Sequence, residues 1–583
     1  MEPEYAGYYA RHSRSRIAAA SNVLCGPYSD YFTLRIIHWA AQELLIFFSK
    51  AQPAAGIVFG MSQGSSSLAQ AALRSGAIEK IRSAFSRQPA VWVVAALVGL
   101  VHAATAGRYD AQRNELYFLV CGWHPDFGYV DQPPLVPLIA AATQVFGISI
   151  WLLRLPATLV AIALVLLCAN FARLLGGGSR AAALAAIAAG IAPGLAGLSS
   201  HLTTSTFEPI AWTGAAFLLT RAILRDRRSD LIWIGVLAGL AMEAKWGIAI
   251  WLVALGVGVM TVPARRMLLW WQLWLGVAIA AVLFAPNLIW QWQHGWPFFE
   301  VILPHLDSQK NFTGPIWLFE FRQAMSMNIA LAPLWLVGVI APFADRRLAP
   351  ARFLSIGFVL TTAFYFLQRG TNYYLFPAYP AMFALGAVWC EGLAVAVTRV
   401  WMAAALAVSA WLAPVTLPIL EPALLQRYMD VTHTRPKPIE AAGVGAPLTQ
   451  SLSDEFGWRD LEEQIAAIVH GLPPEQQARV AILASNYGEA AAIDVYGGED
   501  GLPPALSGHN QYWLWGPRGH DGSLIIHVGG DPERWRKACG SVEEVGRFGN
   551  PYTMPYENDR PIFICRNLRQ PLERIWDRLK RYR

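Results

Sequence analysis

Charge is what this 583-residue chain has least of: 15% of its residues are charged and 55% are hydrophobic, where an ordinary soluble domain carries roughly 25% charged. With a mean hydropathy of +0.35, that deficit excludes a purely soluble globular protein. Cysteine is also scarce. The six present form no CxxC pair and no His-rich tract accompanies them, which argues against zinc-ribbon and thioredoxin-like chemistry. An isoelectric point near 9.0 could suggest a nucleic-acid partner. The Lys and Arg residues sit instead in short loops between apolar runs, the pattern of membrane topology, so no nucleic-acid partner is expected. No internal repeat is visible, which removes one signature of a transporter. Residues 1–88 lack the order of a signal peptide. Their one apolar stretch, Tyr31–Phe48, contains Arg35, His38 and Glu43, a poor composition for a spanning helix. They read as a poorly structured extension, with Met61 a plausible alternative start.

Apolar runs dominate from Pro89 onward, and the 24 tryptophans suit a protein with many residues at membrane interfaces. Windows near 89–107, 149–172, 180–198, 207–222, 230–245, 246–262, 268–290, 325–344, 352–367, 373–392 and 400–420 approach the roughly 17–25 apolar residues a spanning helix needs. Connections carrying Arg173, Arg180, Arg221, Arg225, Arg227, Arg228, Arg265, Arg266, Arg346, Arg347, Arg352 and Arg399 alternate with poorer ones carrying Arg108, Arg113, Lys310, Arg322 and Arg369. The positive-inside rule places the first set in the cytoplasm and the tail from about 425 outside. The expected fold is mainly α: a polytopic membrane bundle of about eleven spans over 89–424, with a small soluble α/β domain over 425–583. In that domain Val480–Ala484 and Ser523–Val528 read as strands and Asp460–Val469 as a helix. Cys539 and Cys565, its only cysteines, read as a candidate disulfide in an oxidising compartment. The long connections 108–148 and 291–323 lie on the outer side, with Pro133–Gly147 in the first suited to a helix in the interface.

Ionisable residues at membrane depth are costly and mark functional sites by default. Glu115, Asp126 and Asp131 fall in the first long loop, Glu208 opens the fourth window, Glu243 and Lys245 close the fifth, and Arg154 lies just inside the second. The bland alternatives are a snorkelling Arg154 and a solvated Asp126 in its His-Pro-Asp turn. Lys245, flanked by Ala244, Trp246, Gly247 and Ile248, is the better candidate for an anionic ligand. Tyr117, Phe118, Trp123, Phe127 and Tyr129 make the first loop too aromatic for a disordered connector.

The stretches Arg113–Phe118, Gly128–Leu135, Thr204–Glu208, Glu243–Trp246, Pro286–Pro297 and Tyr373–Pro380, in this order, resemble the bacterial polyprenyl-phosphate-sugar glycosyltransferases. These are GT-C enzymes of the glycosyltransferase family 39 kind, sharing the multi-spanning fold of protein O-mannosyltransferases and lipid A aminoarabinose transferases. The resemblance covers about residues 90–400. In the tail, Asn486–Ala490 and Gly508–Gly516 are similar to tails of some bacterial members. The chain also departs from the pattern. The usual Asp-Glu of the first loop is Asn114-Glu115, and Asn cannot act as a base. Thr371 replaces a common Lys, and Asp131-Gln132 stands where a lipid A-type member has Glu-Lys.

The resemblance implies an inverting transfer of a hexosyl or pentosyl unit from a polyprenyl-phosphate donor to an acceptor hydroxyl on a lipid, protein or glycan. It also implies a bacterial inner membrane location with a periplasmic tail. In such a displacement a carboxylate takes the acceptor proton while cations stabilise the departing phosphate. Glu115 or Asp131 is the expected base. Lys245, with Arg369, is expected on the phosphate. Glu208 would orient donor or acceptor, and Tyr373, Tyr374 and His294 would line the substrate site. No cofactor is implied; a divalent cation among the carboxylates is chemically allowed without being indicated. The rival readings are a flippase or transporter of lipid-linked sugars, and a non-catalytic receptor working through its tail.

Overall fold

The computed structural model describes residues 88–306, 312, 314–435 and 445–582. The apolar stretch Tyr31–Phe48 and the alternative start at Met61 lie outside them.

Every apolar window contains helix. In chain order the principal helices are α1 (Pro89–Thr105), α2 (Arg113–Trp123), α3 (Leu135–Thr143), α4 (Ile150–Leu174), α5 (Ser179–Ile191), α6 (Glu208–Arg225), α7 (Asp230–Met242), α8 (Ile248–Met260), α9 (Trp271–Gln293), α10 (Ile316–Ser326), α11 (Ala332–Ala344), α12 (Arg352–Leu367), α13 (Tyr379–Cys390) and α14 (Val395–Thr416). The expected count of eleven spans is not reached by length and composition. Among the described residues four helices pass that test: α4, α9, α12 counted from Ala349, and α14. A pair bent by 104°, α10 with Ile329–Ala344, makes a fifth. Punctuation inside the windows is the reason. Proline at 193 pushes Ala192 out of the helical region (φ −72°, ψ 113°) and divides the 180–198 window into Ser179–Ile191 and Pro193–Leu198. The 373–392 window opens as a 3₁₀ turn, Asn372–Ala378, before α13 begins. Segments of 13 residues such as α5, α7 and α8 rise only about 20 Å, against a hydrocarbon core of about 30 Å.

Outward faces are apolar. On α9, Trp274, Val277 and Val282 are exposed, as are Val397, Val400 and Leu406 on α14, surfaces suited to lipid and to an integral membrane protein. Inside the bundle, helices meet at glycines. A Cβ on Gly386 would strike the Leu334 carbonyl and one on Gly338 the Met382 carbonyl, so α11 and α13 touch backbone to backbone, as small residues permit in lipid.

The tail is a five-stranded mixed sheet of order β2-β1-β3-β5-β4, with β1 Ala481–Ala484, β2 Leu506–Ser507, β3 Leu524–Val528, β4 Cys539–Phe548 and β5 Arg560–Leu568. β1 runs parallel to β2 and β3, while β5 is antiparallel to β3 and β4. The two predicted strands are β1 and β3, and the predicted helix is α15 (Trp458–His470). Cys539 and Cys565 are bonded, with Cα atoms 5.8 Å apart. The tail does not close its core alone. Leu116, Tyr117, Leu119 and Val120 of α2, with Tyr129 and Val136, form one buried cluster with Trp458, Ile465, Ile482, Ala491, Tyr512 and Ile526. Helix α16 (Tyr487–Tyr496) follows β1, and its Tyr487 ring lies 4.6 Å from that of Tyr117.

Candidate active site

Helix α2 starts on a reciprocal cap. The Gln112 side chain accepts from Asn114 N at 2.8 Å, while the Glu115 carboxylate accepts from Gln112 N at 2.9 Å, satisfying donors that a helix start leaves open. Glu115 is fully buried and also accepts from Leu202 N (2.9 Å) and from Arg154 Nη2 (2.8 Å). Arg154 does not snorkel. It is 1% exposed and also donates to Glu455 of the tail at 2.9 Å and to the carbonyls of Ala106 and Asp110 at 2.8 and 2.9 Å. His201 closes the cluster on the other Glu455 oxygen at 3.0 Å. Burial alone would raise the Glu115 pKa; the Arg154 charge beside it holds it below the ordinary value. A carboxylate so fully engaged is an anchor between the first loop, α4 and the tail.

Asp131 has a different setting. The Tyr117 hydroxyl donates to one oxygen at 2.9 Å and Asn510 Nδ2 of the tail to the other at 3.0 Å. Tyr117 in turn accepts from Gln511 N at 3.1 Å, and Val130 N donates to the Gln511 side chain at 3.1 Å. The Asp131 residue is half-buried. Burial pushes its pKa up to about 6, the hydrogen bonds from Tyr117 and Asn510 offsetting part of the rise. A carboxylate tuned there is mostly ionised at neutral pH and still basic enough to take a proton.

Four of the remaining sequence candidates converge. The turn between α7 and α8 presents Lys245, whose Nζ donates to Glu208 at 2.9 Å and to Ser205 Oγ at 2.8 Å. The ammonium also lies 5.1 and 4.7 Å from the ring centres of Tyr373 and Tyr374, within cation–π range. Gly247 allows the approach, since a Cβ there would strike the Glu208 carboxylate. Lys245 keeps 24% of its side chain exposed while Glu208 keeps 6%, so the cation is the accessible partner. The same turn holds two buried polar groups without hydrogen-bond partners, the Glu243 carboxylate and Trp246 Nε1. Leu135 N, four residues after Asp131, donates to Glu243 O at 2.9 Å and ties the first loop to this turn.

Two candidates stand apart. His294 caps α9, bonding Trp290 O at 2.8 Å and stacking on the Trp290 ring. Arg369 is exposed, with φ 55°, two residues before the turn start at Thr371. Asn114 accepts from Tyr487 OH at 2.9 Å, and Asp126 accepts from Trp290 Nε1 at 2.8 Å. Residues missed as partners by sequence reasoning are Ser205, Tyr117, Glu455 and Asn510. The aromatic run in the first loop signalled Tyr117, and the stretches Thr204–Glu208 and Gly508–Gly516 contained Ser205 and Asn510; nothing local signalled Glu455. Among the described residues no group of three His, Cys, Asp or Glu side chains could hold a metal ion.

The helical membrane bundle with its small C-terminal mixed sheet has an ArnT-like GT-C fold. Residues 131–290 match the family described as dolichyl-phosphate-mannose-protein mannosyltransferase. No curated protein matches it by sequence. Among solved structures, ArnT from Cupriavidus metallidurans bound to undecaprenyl phosphate aligns at TM-score 0.55 and 17% identity, over 81% of this chain and 97% of that one. ArnT from the same organism in the apo state aligns at TM-score 0.57 and 16% identity, with the same coverage.

Proposed function

We propose that the protein transfers a single sugar, with inversion, from a polyprenyl-phosphate carrier to an acceptor hydroxyl at the outer face of the bacterial inner membrane. The observation that carries the reading is the convergence of Lys245, Glu208, Tyr373 and Tyr374 in a fold whose solved relative holds undecaprenyl phosphate. Asp131 accepts the proton of the acceptor hydroxyl, whose oxygen attacks the anomeric carbon. The bond from that carbon to the phosphate oxygen breaks and its electron pair leaves with the lipid phosphate. The products are the inverted glycoside and the polyprenyl phosphate, and the acceptor proton rests on Asp131.

Lys245 meets the phosphate. Its ammonium has three donors, two already fixed by Ser205 and Glu208, so it is held in place before the ligand arrives. Developing charge in a low-dielectric site gains most from such a preorganised cation. Glu208 orients Lys245. The donor sugar is a hexose or pentose and the acceptor a lipid, protein or glycan. Purified protein in lipid nanodiscs, given a radiolabelled polyprenyl-phosphate sugar and membrane extract, should move label onto a new product with stoichiometric release of polyprenyl phosphate. Label that reaches no acceptor, with intact donor appearing on the opposite leaflet in proteoliposomes, would make the protein a flippase instead.

A further inference from the structure

The tail places one side chain directly on the candidate base. Asn510 sits in the left-hand half of backbone space, at φ 49° and ψ −130°, a region glycine occupies at little cost and other residues occupy under strain. The turn holding it there is clamped on both sides. Asn510 N donates to Arg581 O at 3.0 Å, and Arg581 N returns a bond to Gly508 O at 2.8 Å. Gly508 is pressed so closely on Leu579 that a Cβ would strike its carbonyl. On the other side Gln511 grips both Tyr117 and Val130. The turn is thus registered against the first loop by two hydrogen bonds besides the one from Asn510 to Asp131, held to the end of the chain by two more, and set against the bundle by the core that tail and loop share. A strained non-glycine residue, in a turn pinned from two directions, donates a side-chain bond to the Asp131 carboxylate of this loop.

We propose that the C-terminal domain completes the reacting site through Asn510, a positioning residue that fixes the orientation and protonation of the Asp131 carboxylate. The inference rests on the reading of Asp131 as base. The titratable groups facing that carboxylate are Tyr117 and Cys121 from α2 and Tyr582 from the end of the chain. None is a cation. The ionised form therefore depends on hydrogen bonds, and deleting one of them lets burial act with less opposition.

The test is the pH dependence of kcat/KM for sugar transfer by the full-length protein in nanodiscs, with a polyprenyl-phosphate sugar as donor. Asn510→Gly suits the backbone and removes the side chain that bonds Asp131. Its acid limb should move to higher pH by about half a unit or more, with kcat lowered several-fold and the donor KM unchanged. Asn510→Asp, of the same shape, should shift the limb further and serves where the glycine variant folds poorly. An acid limb that stays in place in both variants, whatever the rate, overturns the positioning role. Asp131→Asn in parallel separates the two claims: if it transfers normally, the base assignment has failed as well. If it is inactive while the Asn510 limb is unmoved, only the present inference has failed.

Discussion

Arg154, rooted in α4, and Glu455, in the tail, are hydrogen-bonded at 2.9 Å with 1% and 0% of their side chains exposed. The same guanidinium reaches Glu115 at 2.8 Å, so one cation ties a membrane helix to the first long loop and to the C-terminal domain. Removing it would leave two buried carboxylates facing one another. Breaking one partner of a buried ion pair costs about 3–5 kcal/mol. Arg154→Met should accordingly lower the unfolding temperature in detergent sharply and make the tail sensitive to limited proteolysis. A variant with wild-type melting and protease resistance would show that the anchor contributes little.

Two buried acids in the tail should make its stability fall as pH rises. Glu557 and Glu489 are buried side by side, 2% and 0% exposed. Burial, and then the charge of Glu489, pushes Glu557 up to about 8, and Glu489 is raised as well. The folded state holds this proton more tightly than the unfolded chain does. The stability from it is fully present below the ordinary carboxylate pKa and is lost as pH rises through about 8. Melting measured between about pH 6 and about pH 9 should show the tail weakening with alkalinity, and Glu557→Gln should flatten that dependence. A wild-type profile already flat over that range would contradict the shared proton.

Apolar windows, arginine asymmetry and the tail's β1 and β3 were legible in the sequence because each is a local pattern of hydropathy and charge. Spans were less so, since a hydropathy window does not register where Pro193 breaks a helix or where 3₁₀ geometry opens α13. Lys245 and Glu208 were visible as costly charges in apolar surroundings, and they meet. Arg154 was half-legible: its depth showed, its partners did not, because Glu455 lies 301 positions away. Asn510, 379 positions from Asp131, belonged to a stretch noted only for its similarity to tails of some bacterial members. Glu115 and Asp131 were equal candidates in the sequence, and only three-dimensional neighbours separate a charge-paired carboxylate from one held by neutral donors.

The Cys539–Cys565 bond joins neighbouring strands β4 and β5 and should contribute about 2–4 kcal/mol to the tail. Thiol labelling of denatured, unreduced protein should leave both residues unmodified while Cys121, Cys168 and Cys390, free and buried when folded, react. Quantitative labelling of Cys539 and Cys565 would rule out the bond and weaken the assignment of the tail to an oxidising compartment.

Topology follows from the arginine-rich connections. Alkaline phosphatase fused after residue 425 should be active, and a fusion near residue 226 should be inactive. The reverse pattern would invert the membrane orientation and with it the face on which transfer occurs.

Sugar transfer by the Asp131→Asn and Lys245→Met variants, measured side by side with the wild type, tests the central claim most directly. Asp131→Asn keeps shape and removes the base, so kcat should fall by about 10²–10⁴-fold with donor binding preserved. Lys245→Met should weaken donor capture as well as the chemical step, because its charge is met in both ground and transition states. Glu115→Gln should act through stability, with the acid limb of the surviving activity in place. Near wild-type transfer by both Asp131→Asn and Lys245→Met, in protein that remains folded and inserted, would contradict the account.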